Sequence, residues 1–430
     1  MANRVLLRGW MGVWIGSLLL SHTPVAASAV PCQFNPASNP TLVRSSSSPA
    51  HQAERTPTNQ TNFLVMGGGG APAYNEIALE KNMLYFQRTL QTLGFNPAAA
   101  SLFFANGMDG TATVRYLQQG KELFKVPEIP HLAGAATLSN FQAWMQQTQQ
   151  QADRRPIFFY FTGHGYRNPA NLNNNAMILW GEDLLSVQQL TRSLDLLPPE
   201  QPVVTMMAQC YSGSFANLIY AAGDPRNPVA LHTRCGFFAT IKSRPSVGCT
   251  PEVNEADYRD YSSSFFAGLS GRDRAGQTVA SADYNRDGQV SYAEAHAFAK
   301  VDEQSTDLPV STLEVWLQEQ ASRQRSQFLN QPIASLMSTA RPEQQHVVRS
   351  LTRQFELDIN QSFHQNTNQL RPRSLTADQQ AWMTRLGMEL VNIGMEKHLR
   401  DRGDPSVIPI LERLIRCEAG SWSRAERNPV

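Results

Sequence analysis

The sequence predicts an α/β fold on a mostly parallel sheet, followed by a helical carboxyl-terminal region. Two patterns predict it. Between Asn62 and about Ile241, short apolar runs of strand length alternate with stretches whose apolar residues fall at helical spacing. Beyond about Ser311 the strand runs cease and only helical spacing continues. With 430 residues, 41% of them hydrophobic, the chain is long enough to bury a large core.

The elements follow in order. Residues 1–29 read as a secretory signal: Arg4 and Arg8 precede the apolar stretch WMGVWIGSLLL, and Ala27-Ser28-Ala29 offers small residues for cleavage. The apolar stretch is too short to cross a bilayer, so we expect cleavage rather than a retained anchor, and no stable membrane span afterwards. From Cys32 to about Thr61 the chain is rich in Ser, Pro, Asn, Thr and Gln, as expected of a disordered linker spanning residues 30–61. NFLVMGGGG is the first strand, and EIALEKNMLYFQRTLQTLG is an amphipathic helix that stops at Gly94. SLFFANG, PIFFYFTG, PVVTMMAQ and CGFFATI give four more strands, with helices at TLSNFQAWMQQTQQQ and SVQQLTRSLDLL. Strands alternating with helices imply a parallel sheet covered on both faces, whose ligands gather at the carboxyl ends of the strands.

Charge excludes one class of partner. The net charge is +1, with Lys and Arg scattered among Asp and Glu, so the basic stripe that nucleic-acid binding needs is missing. The cysteines are Cys32, Cys210, Cys235, Cys249 and Cys417, an odd number in a chain expected to be exported. Pairing Cys235 with Cys249 and Cys32 with Cys417 is the economical arrangement and leaves Cys210 free; spacing alone does not fix the connectivity.

Two reactive side chains stand at strand ends. The third long strand runs into Gly163-His164-Gly165, where two glycines would let the backbone turn sharply beside the imidazole. The fourth runs into Gln209-Cys210-Tyr211-Ser212-Gly213-Ser214. If these strands are parallel neighbours, His164 and Cys210 emerge on one edge. A thiolate is the nucleophile in such a pair, and a nearby imidazole can take its proton and return it to a leaving amine. The amides of Gly165 and Cys210 would then be oxyanion donors, each worth about 2.7 to 4 kcal/mol in a transition state.

The pairing of FFYFTGHG with VVTMMAQCYSGSF resembles the caspase-like cysteine peptidases, and the run CYSGS is most similar to the legumain family. The resemblance extends from about Asn62 to Lys300. It implies a three-layer α/β/α sandwich, a dyad of His164 and Cys210, a thioester intermediate and cleavage of protein or peptide substrates. Where that family carries Glu or Gln two positions before the nucleophile this chain has Ala208, with Gln209 beside the Cys, so no substrate preference is implied. The specificity pocket could draw on Asn75 and Glu76 after the first strand, or on Lys242 and Arg244 after the fifth. Acidic groups would favour a basic side chain, basic groups an acidic one.

Downstream, residues 283–294 read DYNRDGQVSYAE. Asp283, Asn285 and Asp287 stand at positions 1, 3 and 5 of an EF-hand-like loop, with Gly288 at the turn. Gln289 offers a carbonyl, Ser291 sits at position 9 and Glu294 can close the site, so we expect a structural calcium ion. His131, His232, His296, His346, His364 and His398 lack zinc-site spacing and are read as structural or surface residues.

The expectation is therefore a secreted or periplasmic cysteine endopeptidase, with a peptidase domain over 62–305 and a helical domain over 306–430. By analogy the helical region could cover the site as a latency element, so that truncation near residue 310 would raise activity. Transpeptidation would use the same residues. The competing class is a catalytically silent binding or scaffolding protein with a calcium site.

Overall fold

The computed structural model describes residues 61–151, 154–252, 254–256, 258–370 and 375–422. The signal peptide and nearly all of the linker expected from the sequence lie outside these residues. In chain order the first strands are β1 Asn62–Gly68, β2 Ser101–Phe104, β3 Val114–Gln118, β4 Lys121–Lys125, β5 Leu132–Gly134 and β6 Ile157–Gly163. They are followed by β7 Gly165–Tyr166, β8 Ala176–Ile178, β9 Leu184–Ser186, β10 Val203–Ala208, β11 Arg234–Phe238 and β12 Val310–Ser311. The central sheet has seven strands in the order β12-β11-β10-β6-β1-β2-β5. All neighbours are parallel except β12, which runs against β11.

The helices of the α/β part are α1 Ile77–Thr92, α2 Leu138–Gln150, α3 Val187–Leu194, α4 Tyr261–Ser270 and α5 Tyr292–Asp302. Strand alternation sorts the core into two layers. Leu64, Met66, Phe159, Phe161, Val203 and Met207 point to one face, where Trp144 of α2 and Leu190 of α3 join them. Phe63, Val65, Phe158, Tyr160, Val204 and Met206 point to the other, against Phe86 of α1, Phe266 of α4 and Ala295 of α5. The result is the three-layer α/β/α arrangement with a mostly parallel sheet that the sequence predicts. Trp422 closes the second layer edge-on to Phe63, Phe86 and Phe158.

The helical region comprises α6 Thr312–Gln320, α7 Arg325–Leu329, α8 Ile333–Met337, α9 Pro342–Gln354, α10 Phe363–Gln369, α11 Ala377–Arg402 and α12 Ile408–Glu418. It is continuous with the sheet rather than laid over it. Leu313 and Trp316 of α6, Leu386 and Leu390 of α11, and Leu411 of α12 belong to the same apolar cluster as the first face of the sheet. Buried Lys300 of α5 pairs with Glu314 of α6 at 2.5 Å and also with Glu389 of α11. A disulfide joins Cys235 in β11 to Cys417 in α12. This corrects the pairing expected from the sequence: Cys235 and Cys249 are neighbours in the chain, but β11 carries Cys235 into the sheet, where α12 meets it. Cys210 lies outside any disulfide, whereas Cys249 is disulfide-bonded.

Candidate active site

The sequence places His164 and Cys210 at the ends of two strands; the structure makes those strands parallel neighbours and brings the two residues level. β6 and β10 pair in parallel with Thr162 opposite Ala208, and each reactive residue follows two positions later. The glycines around His164 serve a different purpose from the one expected. Neither has the left-handed backbone of a sharp turn; Gly163 ends β6 and Gly165 begins β7. A Cβ on Gly165 would lie 2.0 Å from the carbonyl oxygen of Cys210, and one on Gly163 would lie 2.6 Å from that of Gly68. Glycine is needed for close approach of three backbones, so the His164 and Cys210 loops touch through their main chains.

After Cys210 the chain turns within one residue. Tyr211 adopts φ 59°, ψ 19°, a left-handed conformation that costs a non-glycine residue about 1–2 kcal/mol, and the 3-10 helix Ser212–Ile219 starts immediately after it. The turn is held by the Tyr211 N–H donating to the Arg244 carbonyl at 2.9 Å and the Gly213 N–H donating to Thr240 at 2.8 Å. Backbone strain of this kind clusters at functional sites.

His164 is fixed on one side and free on the other. Its Nε2 lies 2.8 Å from the Tyr74 carbonyl oxygen and 3.0 Å from Oε2 of Glu76. Both partners are acceptors, so Nε2 carries the proton. The lone pair of the neutral ring is then on Nδ1, which is buried and has no hydrogen-bond partner. The ring also stands perpendicular to that of Tyr74, with centroids 5.3 Å apart. Glu76 precedes α1 and divides its oxygens, Oε2 to His164 and Oε1 to Arg115 at 2.8 Å. Burial raises the Glu76 carboxyl, but His164 and Arg115 outweigh it and hold the group below its ordinary range.

Cys210 is 1% exposed. The Ser246 N–H donates to its Sγ at 3.3 Å. Burial pushes the thiol well above its usual value; the Ser246 N–H works in the opposite direction, and the charge of Asp307 adds to the rise. Asp307 is itself buried and accepts from Ser246 Oγ at 2.6 Å and from the Val247 N–H at 3.1 Å. The loop carrying Asp307 is pinned by Arg385 of α11, which donates to the carbonyls of Asp307 at 2.9 Å, Glu303 at 2.8 Å and Ser305 at 3.0 Å. A chain of contacts thus runs from the sulfur through the 246–247 loop into the helical region.

The residues read as a specificity pocket fall into distinct settings. Asn75 is buried; its Oδ1 accepts the Gly69 N–H at 2.9 Å and its amide donates to Thr113, so it braces the turn after β1. Glu76 faces His164. Ala208 ends β10 half-buried, while Gln209 is fully buried with its Oε1 unpartnered. Lys242 reaches Asn173 at 2.8 Å and Glu319 of α6 at 3.3 Å, and Arg244 is exposed near Thr306. Sequence reasoning missed Tyr74, Arg115, Ser246 and Asp307, which act through contacts across distant segments and have no local pattern.

In the 283–294 loop, Asp283 accepts from the N–H groups of Asp287 and Gly288, and Gly288 takes the left-handed turn at φ 86°. Asn285 Oδ1 also accepts from Asp287 at 2.9 Å. Glu294 uses Oε1 on the N–H groups of Tyr284 and Asn285, and Oε2 on the N–H and hydroxyl of Ser291, forming a capping box at the start of α5. Elsewhere His296 is buried between Tyr261 and Glu314, and His346 stacks on Tyr284 at 3.9 Å.

No family model matches the chain, and no curated protein matches it. Among solved structures it is similar to a structural-genomics protein from Geobacter sulfurreducens, with TM-score 0.36 and 12% identity over 58% of this chain and 92% of that one. It is similar to caspase-1 from Spodoptera frugiperda, with TM-score 0.33 and 11% identity over 62% of this chain and 93% of the other. A secreted C11 cysteine protease from Bacteroides thetaiotaomicron, solved with an irreversible peptide inhibitor, gives TM-score 0.25 and 14% identity over 43% and 51%.

Proposed function

We propose that the chain is a cysteine endopeptidase of the legumain type, with Cys210 as nucleophile and His164 as base and acid. The observation that carries this reading is the state of His164: Nε2 is committed to Tyr74 and Glu76, leaving the Nδ1 lone pair buried and unpartnered on the strand next to Cys210. In the reaction Nδ1 takes the thiol proton, and the sulfur bonds to the carbonyl carbon of the substrate. Glu76 stabilises the imidazolium that forms. The amides of Gly165 and Cys210 receive the oxyanion, the imidazolium protonates the departing amine, and water then hydrolyses the thioester.

Burial of the thiol supports a closed resting form in which Cys210 is neutral until a substrate arrives. The same burial is the observation that favours a catalytically silent binding protein. Incubating the purified chain with a peptide library separates the two. Cleavage that disappears in Cys210→Ala supports the peptidase; no Cys210-dependent cleavage overturns it.

Two further assignments belong to this reading. Export to an oxidising compartment, secreted or periplasmic, is supported by the Cys235–Cys417 disulfide. A structural calcium ion at the 283–294 loop is supported by its oxygen donors and left-handed Gly288. Asp283, Asn285, Asp287, the Gln289 carbonyl, Ser291 and Glu294 would hold it, and calcium would stabilise the start of α5. Calorimetric titration with calcium tests this: binding lost in Asp283→Asn/Asp287→Asn supports it, and no heat from the unmodified chain refutes it.

A further inference from the structure

The loop that follows β11 brings a third ligating residue to His164. Sγ of Cys249, a ring nitrogen of His164 and a carboxylate oxygen of Glu76 all lie within 4.8 Å of one another. Among the described residues, no other set of three or more His, Cys, Asp or Glu side chains gathers its ligand atoms this closely. In a tetrahedral zinc site, neighbouring N, O and S ligands stand about 3.3–3.6 Å apart, so small side-chain movements would close the set on an ion. His164 and Glu76 are each 4% exposed, which makes the pocket well shielded from water.

In this structure Cys249 is disulfide-bonded, and a disulfide sulfur is not a thiolate ligand. We propose that reduction of the Cys249 disulfide creates a site for zinc, held by Cys249, His164 and Glu76. A dithiol supplies the electrons: the S–S bond breaks, two thiols form, and the reductant becomes its own disulfide. On binding the metal, the Cys249 thiol releases its proton to solvent and coordinates as thiolate. Thiolate and carboxylate together offset the charge of the divalent ion. The mixed S, N and O donor set selects zinc over calcium or magnesium, which prefer oxygen alone. The consequence rests on the peptidase reading: a His164 nitrogen engaged by zinc, with Glu76 drawn to the same ion, leaves the ring unable to act as base. The disulfide state would then decide whether zinc can silence the site.

Metal binding is read with Cys210 removed, so the result stands whether or not the chain cleaves peptides. Full-length Cys210→Ala is reduced with a dithiol, desalted anaerobically and titrated with cobalt, then with zinc against a chromophoric chelator. The expected result is a near-ultraviolet thiolate-to-cobalt band and tight zinc binding in the reduced chain, both missing in the oxidised chain. Cys210→Ala/Cys249→Ser should lose the thiolate band and weaken zinc binding by at least about 10-fold to 100-fold. The oxidised and reduced forms of the single variant provide a comparison that needs no second substitution. Equal binding in both redox states, or a thiolate band that survives Cys249→Ser, would overturn the proposal, as would a reduced chain that takes up no metal.

Discussion

The N–H of Ser246 donates to the sulfur of Cys210 at 3.3 Å, and the hydroxyl of the same serine is anchored on Asp307 at 2.6 Å. Cys210 is therefore held by a loop that is in turn held by the entrance to the helical region.

Asp307 should tolerate Asn better than Ala. Asn keeps a side-chain oxygen that can accept from this loop, whereas Ala strands both the Ser246 hydroxyl and the Val247 N–H. We expect Asp307→Ala to lose about 1–3 kcal/mol in urea unfolding and Asp307→Asn to lose clearly less.

Arg385 is fully buried, and its donors are spent on the carbonyls of Lys300, Glu303, Ser305 and Asp307. Arg385→Ala should cost about 3–5 kcal/mol, read from the denaturation midpoint, because it leaves these carbonyls and Glu303 without their partner.

Truncation near residue 310 should abolish soluble folded protein, in contrast to the gain of activity that the latency analogy implies. The cut removes β12 from the sheet, α6 and α11 from the core and one end of the Cys235–Cys417 disulfide. Replacing both cysteines by Ala in the full chain should cost about 2–5 kcal/mol, read from guanidinium unfolding.

Glu76 sets a pH dependence. Its carboxyl is held below the ordinary 4.5, so it contributes stability above pH 4.5 that is lost as pH falls through the lower folded value. Glu76→Gln should flatten this part of the acid-unfolding profile, measured by urea midpoints between pH 5 and pH 2. It should also lower kcat by roughly 10-fold or more, since the imidazolium loses its counter-charge.

Much of the fold was legible because β1, β6, β10 and β11 are apolar runs of strand length separated by helical periodicity. β5 is only Leu132–Gly134 and β4 is largely exposed, so neither carries a clear periodic signal. α4 is serine-rich and buried nearly all round, which erases its amphipathic stripe. At the site, His164 and Cys210 could be read from strand ends. The contacts that tune them could not: Glu76 reaches His164 across 88 positions and Asp307 reaches Ser246 across 61. The disulfide was misread for the same reason, since Cys235 and Cys417 are 182 positions apart.

The central claim is that His164 activates Cys210. It is tested most directly by following covalent capture of the chain with a peptidyl electrophile by intact mass and peptide mapping, for the unmodified protein and His164→Ala. The account predicts one adduct, on Cys210, forming at least about 100-fold more slowly in His164→Ala. An adduct on another residue, or an equal rate in the two proteins, would contradict it.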